Sequence, residues 1–363
     1  MNASKAAIIG LFAVALCQVS WAQRRPGGGG AGGDGVAPAQ SVPIAVPWID
    51  THIHLRARNG DYSGAAEQAM QLLKSSGAVG AVLMAQPFPE QANPNKHDLT
   101  QLVPAVKNKG AWFAVLGGGG SLNGLIEKTP ANQVTPELKA SFIAQAHQIL
   151  DSGAAGFGEM ALLHLSHFDG HPFEEVAPDH PLMLALADVA AERDKLLDVH
   201  MDIVDSAGSP PAALQSATNP QNLRPNVAAF ERLLEHNRRA RIMLAHAGWD
   251  VTGQWTVALS RRLLARHSNL YMSLKLSPSP ADKSMPVGPQ GVRPDWAALI
   301  AEFPDRFVIG SDSFFAAPGA GGPGTVFRLP PTKLMLEGLP LELAERIGWR
   351  NAATLYKLNP PLK

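Results

Sequence analysis

The chain has 363 residues, 45% hydrophobic and 17% charged, a globular balance that excludes a disordered chain. Its 31 Lys and Arg balance 31 Asp and Glu, so it offers no electrostatic footprint for nucleic acid. The single cysteine, Cys17, excludes internal disulfides and Cys-rich metal sites, and the 34 Gly and 30 Pro cluster without a collagen-like repeat.

The first element in chain order reads as a leader. Lys5 precedes an apolar run, Ala6 to Leu16, and Ser20-Trp21-Ala22 gives a small-x-small cleavage pattern. Residues 1–22 are therefore expected to be a cleaved Sec-type signal peptide, which places the protein in the periplasm or outside the cell. The run is about half the ~20 residues that span a bilayer, so no membrane association is expected after cleavage. Leu16 stands where a small residue normally precedes a lipid-bearing cysteine, which argues against an anchor on Cys17. A chain starting at Gln23 keeps 30 basic against 31 acidic residues and has no thiol chemistry. Residues 23–46 are Gly- and Pro-rich and read as a flexible linker, and residues 47–363 as one domain.

From Trp48 onward, short apolar runs alternate with amphipathic stretches. The runs are Trp48–Leu55, Ala78–Gln86, Ala111–Gly117, Ala154–Met160, Leu196–Asp202, Arg241–Ala247, Asn269–Ser277 and Phe307–Ser313. Helix starts lie between them. Thr135-Pro136-Glu137 places a cap, a first-turn proline and an acid before an apolar helix, and Asp179-His180-Pro181 has the same form. Strands alternating with helices imply parallel strands with right-handed crossovers. Eight such units predict an α/β fold, a (β/α)8 TIM-like barrel with its site at the C-terminal ends of the strands. An open doubly wound sheet is the competing arrangement.

Polar, metal-ligating residues recur at those strand ends. In the first run, the period of two puts Asp50, His52 and His54 on one face. Glu159 follows small residues in the fourth run, His200 lies in the fifth between Asp198 and Asp202, His246 in the sixth, and Asp312 ends the eighth. Each alone has an ordinary explanation: an exposed histidine, a loop carboxylate, a satisfied core imidazole, a helix cap. Together, six ionisable groups from five strands meet at one mouth of a barrel. Desolvating them without a cation is costly. Neutral imidazole and carboxylate are the ligands that Zn²⁺ and similar ions prefer.

The segments WIDTHIHL at 48–55, GFGEM at 156–160, DVHM at 198–201, LAHAGW at 244–249 and GSD at 310–312 resemble the amidohydrolase superfamily, and within it the amidohydrolase-related branch. Residues 350–356, RNAATLY, look like that branch's terminal helix. The resemblance implies a distorted barrel with one or two divalent metals, Zn²⁺ foremost by ligand type. It makes His52 and His54 ligands of a first metal and Glu159 a carboxylate bridging two ions. His200 and His246 then serve a second metal, and Asp312 is a first-metal ligand and proton acceptor. In mononuclear relatives the histidine at the His246 position is often catalytic instead. The implied activity is hydrolysis of an ester, lactone or amide bond in a small molecule, with zinc lowering the pKa of water to about 7. A mononuclear decarboxylase and a catalytically silent metal- or ligand-binding barrel are the alternatives.

Weaker signals remain. Parity on the seventh run puts Lys275 on a face with Tyr271 and Ser273, where it either holds a substrate carboxylate or reaches solvent. Trp249 is placed either as an apolar wall of the substrate pocket or in the core. His164, His167, His171 and His180 are expected in a solvated, His-rich lid after the fourth strand. GGGGS at 117–121 lacks the lysine of a phosphate loop and reads as a close-approach turn. The Gly/Pro stretch at 316–325 is expected to form a flap near the site.

Overall fold

The computed structural model describes residues 43–57, 60–87, 98–168, 170–277, 284–320 and 325–360. The expected signal peptide, nearly all of the linker and residues 321–324 of the expected flap lie outside the described residues. Residues Ser41–Lys363 form one compact unit. Ile44 and Val46, expected in the linker, are buried in it, and the Ile44 N–H donates to Ser76 O at 3.0 Å.

The strands are β1 (Trp48–Arg56), β2 (Ala78–Leu83), β3 (Phe113–Gly118), β4 (Gly156–His164), β5 (Glu174–Glu175), β6 (Leu196–Met201), β7 (Arg241–Ala247), β8 (Leu270–Leu274), β9 (Val287–Gly288), β10 (Gly291–Val292), β11 (Phe307–Ile309) and β12 (Ser313–Ala316). Between and after them lie α1 (Tyr62–Ser75), α2 (Leu99–Val106), α3 (Leu122–Lys128), α4 (Pro136–Asp151), α5 (Pro181–Glu192), α6 (Val227–His236), α7 (Val257–Arg266), α8 (Pro294–Glu302), α9 (Pro330–Glu337), α10 (Leu341–Glu345) and α11 (Asn351–Tyr356). The main sheet runs β11-β8-β7-β6-β4-β3-β2-β1-β12, every pair on this path parallel. β5 adds to β4 antiparallel, and β9 with β10 forms a separate hairpin.

A parallel sheet covered on both faces calls for nearly continuous apolar strands, and AVGAVL, FAVLGG and RIMLAHA have that character. The larger core packs helices on the sheet, with Trp48, Phe142, Phe157, Phe230 and Trp296 at 0–1% exposure. Each such side chain contributes about 1.5–3 kcal/mol by leaving water. A second cluster brings Ile49, Leu116, Leu196, Met243 and Val308, from five different strands, together with Leu355 and Tyr356 of α11. The expected terminal helix is thus present, and Asn351 ties it down by donating to Pro304 O and Phe307 O, both at 2.8 Å.

Local signals resolve in two ways. Thr135 caps α4 as expected, its hydroxyl accepting from Leu138 N at 3.2 Å. At α5 the cap is His180, whose Nδ1 accepts from Leu182 N, while Asp179 pairs with Arg232 instead. The eighth expected strand is two strands, because the chain changes partner inside it. Gly310 N donates to Leu274 O after β8 (3.1 Å), and Asp312 N donates to His52 O on β1 (2.9 Å). Among the described residues, no helix is long and apolar enough to cross a membrane.

Candidate metal centre

Six side chains meet where β1, β4, β6, β7 and the β11–β12 junction end. His52 and His54 project from one face of β1 through the strand period, and Glu159, His200 and His246 come from β4, β6 and β7. His246 and Asp312 adopt left-handed backbone, with φ of 67° and 52°. For any residue but glycine this conformation is uncommon, and it collects where a side chain must be aimed. The GGGGS turn runs alongside. A Cβ at Gly119 would lie 2.6 Å from Glu159 O, so the close approach expected of that turn requires glycine.

Glu159 is the hub. Its Oε1 lies 2.8 Å from His200 Nδ1 and 3.0 Å from His246 Nε2, and its Oε2 lies 3.5 Å from His52 Nε2 and 3.4 Å from His54 Nε2. One carboxylate thus faces four imidazoles. Asp312 Oδ1 is 3.4 Å from His54 Nε2, and its Oδ2 is 2.6 Å from Lys275 Nζ. All six groups are buried, Asp312 the most open at 9%.

The arrangement fits a divalent cation. Ligand atoms held about 2.0–2.2 Å from one ion stand roughly 3–4 Å from each other. Three overlapping sets have all their ligand atoms within 4.8 Å of one another: His52, His54 and Glu159; Glu159, His200 and His246; and His52, His246 and Asp312. His52 Nε2 and His54 Nε2 face each other at 3.2 Å, as two lone pairs aimed at one ion do. His200 Nε2 and His246 Nδ1 are buried with no hydrogen-bond partner, so neither ring is held in place by a full set of protein bonds.

Electrostatics agree. Burial favours the neutral form of Glu159, but attraction to His52 and hydrogen bonds with His200 and His246 hold it well below the usual carboxylate range. Burial likewise opposes the charge on Asp312, yet the Lys275 ammonium and His54 keep it well below its ordinary value. Burial disfavours imidazolium at His54 and His200, but Asp312 and Glu159 push His54 up to about 9, and Asp202 and Glu159 push His200 up to about 10. Burial and then the Lys275 charge drive His246 far down, to neutral imidazole. The protein thus uses protons and one ammonium to balance carboxylates where a metal ion is the alternative counter-charge.

The sequence model of the family described as Amidohydrolase matches residues 49–358. The chain belongs to the amidohydrolase family. No curated protein sequence matches it significantly. Solved structures similar to it include an apo protein of Agrobacterium tumefaciens, 15% identical over 88% of this chain and 98% of that one, TM-score 0.47. An amidohydrolase 2 from Bifidobacterium longum subsp. infantis is 12% identical over 87% and 100%, with a TM-score of 0.45. A 2,6-dihydroxybenzoate decarboxylase from Rhizobium is 12% identical over 86% and 98%, with a TM-score of 0.43. A buried His/Glu/Asp cluster able to chelate a divalent metal, in a member of this family, supports a metal-dependent catalytic site.

Around this amidohydrolase centre the weaker expectations divide. Lys275 lies just past β8, 3% exposed, so it does not reach solvent; it pairs with Asp312 and stands 3.1 Å from the centroid of the Trp249 ring. Trp249 is half-buried against His167, with ring centroids 5.0 Å apart, and so stands beside the cluster rather than deep in the core. The solvated lid is corrected. His164 belongs to β4, stacks 4.8 Å from His200 and 4.7 Å from His171, and donates through Nδ1 to Pro172 O, fixed by that strand and turn. Burial drives it down to about 3 and His171 to about 4. His180 is a buried cap between α3 and α5, its Nε2 donating to Thr129 O. Asp50, on the face of His52, turns to the strand junction, where Ser311 N and Oγ donate to it. Asp198 and Asp202 were visible as residues of the same parity as His200, but sequence gave no sign of their partners.

Proposed function

We propose that this amidohydrolase is an exported metal-dependent hydrolase, cleaving an ester, lactone or amide bond in a small molecule, in a closed (β/α)8 barrel domain. Closure is supported by the three-residue step from β11, paired to β8, to β12, paired to β1, and by the inner cluster drawn from five strands. The observation that carries the chemistry is Glu159. A carboxylate within 3.5 Å of four imidazole nitrogens is placed to be shared between two ions. His52 and His54 would hold a first ion with Asp312, and His200 and His246 would hold a second.

A divalent cation bound there, Zn²⁺ by ligand type, supplies a Lewis acid that polarises a carbonyl and acidifies water. The chain's own residues do the rest. Asp312, kept ionised, accepts a proton at a carboxylate oxygen and returns it to the leaving group. Lys275 holds Asp312 Oδ2 and leaves Oδ1 toward His54 and the centre. Where His246 is not a ligand, its neutral imidazole would donate to or accept from the reacting oxygen without adding charge. Trp249 and Lys275 form one wall of the substrate site, where a substrate carboxylate would share the ammonium with Asp312. Neither nucleic acid nor membrane is a proposed partner. The decarboxylase reading draws on the set formed by His52, His246 and Asp312, which would hold a single ion.

Metal content per chain, on protein purified without chelator, separates the two. About two equivalents, falling to about one in Glu159→Ala, support the bridged hydrolase. About one equivalent, unchanged by that substitution, moves the reading to the mononuclear lyase and the screen to carboxylic acids. No retained metal in either protein leaves the binding-barrel alternative.

A further inference from the structure

We propose that Asp198 is a positioning residue for His52, standing behind its ring and fixing which nitrogen faces the centre. The proposal rests on the reading of the cluster as a metal centre. Asp198 lies on β6, 0% exposed, and neither of its oxygens has a hydrogen-bond partner. Its Oδ1 is 3.8 Å from His52 Nδ1, and that nitrogen is itself buried without a hydrogen-bond partner. An acceptor and a ring nitrogen able to donate therefore face each other across a gap less than about 1 Å longer than a hydrogen bond.

A lone carboxylate away from water is among the costlier groups a fold can carry. Its presence here calls for a donor; His52 Nδ1 faces it, and the buried Tyr356 hydroxyl is the other unpartnered donor that feels its charge. A proton on Nδ1, turned to Asp198, leaves the Nε2 lone pair pointing at His54 Nε2 and Glu159, the tautomer that a cation requires. The neighbouring histidines follow the same plan. His54 donates through Nδ1 to Met84 O at 3.0 Å, and His200 Nε2, without a hydrogen bond, lies 3.5 Å from Asp202 Oδ1. Asp202 also accepts from Leu165 N at 2.8 Å and so has a second, structural use. Asp198 has no such bond. On β4 a Cβ at Gly158 would come within 2.8 Å of Asp198 Cβ, so the two strands approach closely here.

The test is zinc affinity of metal-stripped parent and Asp198→Asn, by competition with a chromophoric chelator, beside thermal melts of both metal-free proteins. Parent protein that binds zinc, with the variant about 10–100-fold weaker, supports the proposal if the metal-free variant melts at the parent temperature or above. A packing role predicts the reverse melt, and a variant melting lower overturns the proposal, as does zinc affinity within threefold of the parent. Should the variant fail to fold, the zinc-loaded parent still decides. In ¹⁵N-histidine spectra His52 is expected to carry its proton on Nδ1, and a deprotonated Nδ1 overturns the proposal. Parent protein that binds no zinc refutes the metal reading itself, whereas equal binding by both proteins refutes only the role of Asp198.

Discussion

Asp312 combines three conditions that seldom coincide by chance. Its backbone is left-handed, its carboxylate is bound by a buried ammonium, and its other oxygen faces a histidine of the cluster. The left-handed turn aims the side chain back across β1, and Lys275 keeps it ionised despite burial. Asp312→Asn preserves shape and the contact with Lys275 but removes the proton acceptor. Turnover is expected to fall by about 10²–10⁴ with zinc still bound, measured by steady-state rates and metal content on the same sample. Full activity in that variant removes Asp312 from the proposed proton transfer.

At the scale of elements, the two-residue strand β5 carries an unusual load. Glu174, 0% exposed, has no hydrogen-bond partner at either oxygen, and burial, with repulsion from Glu127 and Glu159, pushes it up to about 9. A carboxyl whose folded pKa is raised stays protonated while the unfolded chain ionises above its ordinary value. Stability is therefore lost as pH rises from about 4.5 toward 9. Glu174→Met, similar in size and uncharged, escapes that loss. Its melting temperature relative to the parent is expected to climb between pH 5 and pH 8, by at most about 1.4 kcal/mol of stability per pH unit. A pH-independent difference shows that Glu174 is not buried as the neutral acid. The junction of β11 and β12 shows the same dependence of chemistry on local architecture, since Asp50 fixes Ser311 and thereby the residue next to Asp312.

The whole molecule should respond to metal as one unit, because the candidate ligands come from strands at both ends of the main sheet's path. A ligand that binds only the folded chain at 1,000 times its Kd adds about 4 kcal/mol. Zinc is expected to raise the melting temperature of stripped protein, and a chelator to lower it again. The sign with pH follows from His54 and His200, raised to about 9 and about 10. Stabilisation from their protonation is full below the ordinary histidine pKa and is lost as pH passes 9 to 10. Metal uptake must displace those protons, so zinc binding should release protons at pH 7 and tighten as pH rises. Calorimetry in two buffers of different ionisation enthalpy measures the release. Metal binding without proton release contradicts the protonated apo cluster.

How much was legible in advance depended on the range of the interaction. Strand positions, the Thr135 cap, the alternation that sets His52 beside His54 and the family itself rest on local pattern, and the chain states that pattern directly. Pairing needs the third dimension. That Glu159 faces four histidines, that Lys275 is spent on Asp312 and Trp249 rather than solvent, and that Asp198 stands behind His52 depend on β4, β6, β8 and β1 becoming neighbours. The expected eighth strand, FVIGSDS, loses its apolar character after Ile309, and its hydrogen bonds change partner at Gly310–Asp312. The polar segment near residue 170 suggests solvated histidines, but His164, His167 and His171 are only half-exposed where β5 pairs with β4. Which groups could ligate, and that His52 and His54 share a face of β1, follows from residue type and strand period, since periodicity is a property of the backbone. Only the tertiary structure decided which of them meet and which carry charge, since both depend on distance and on the water that folding removes.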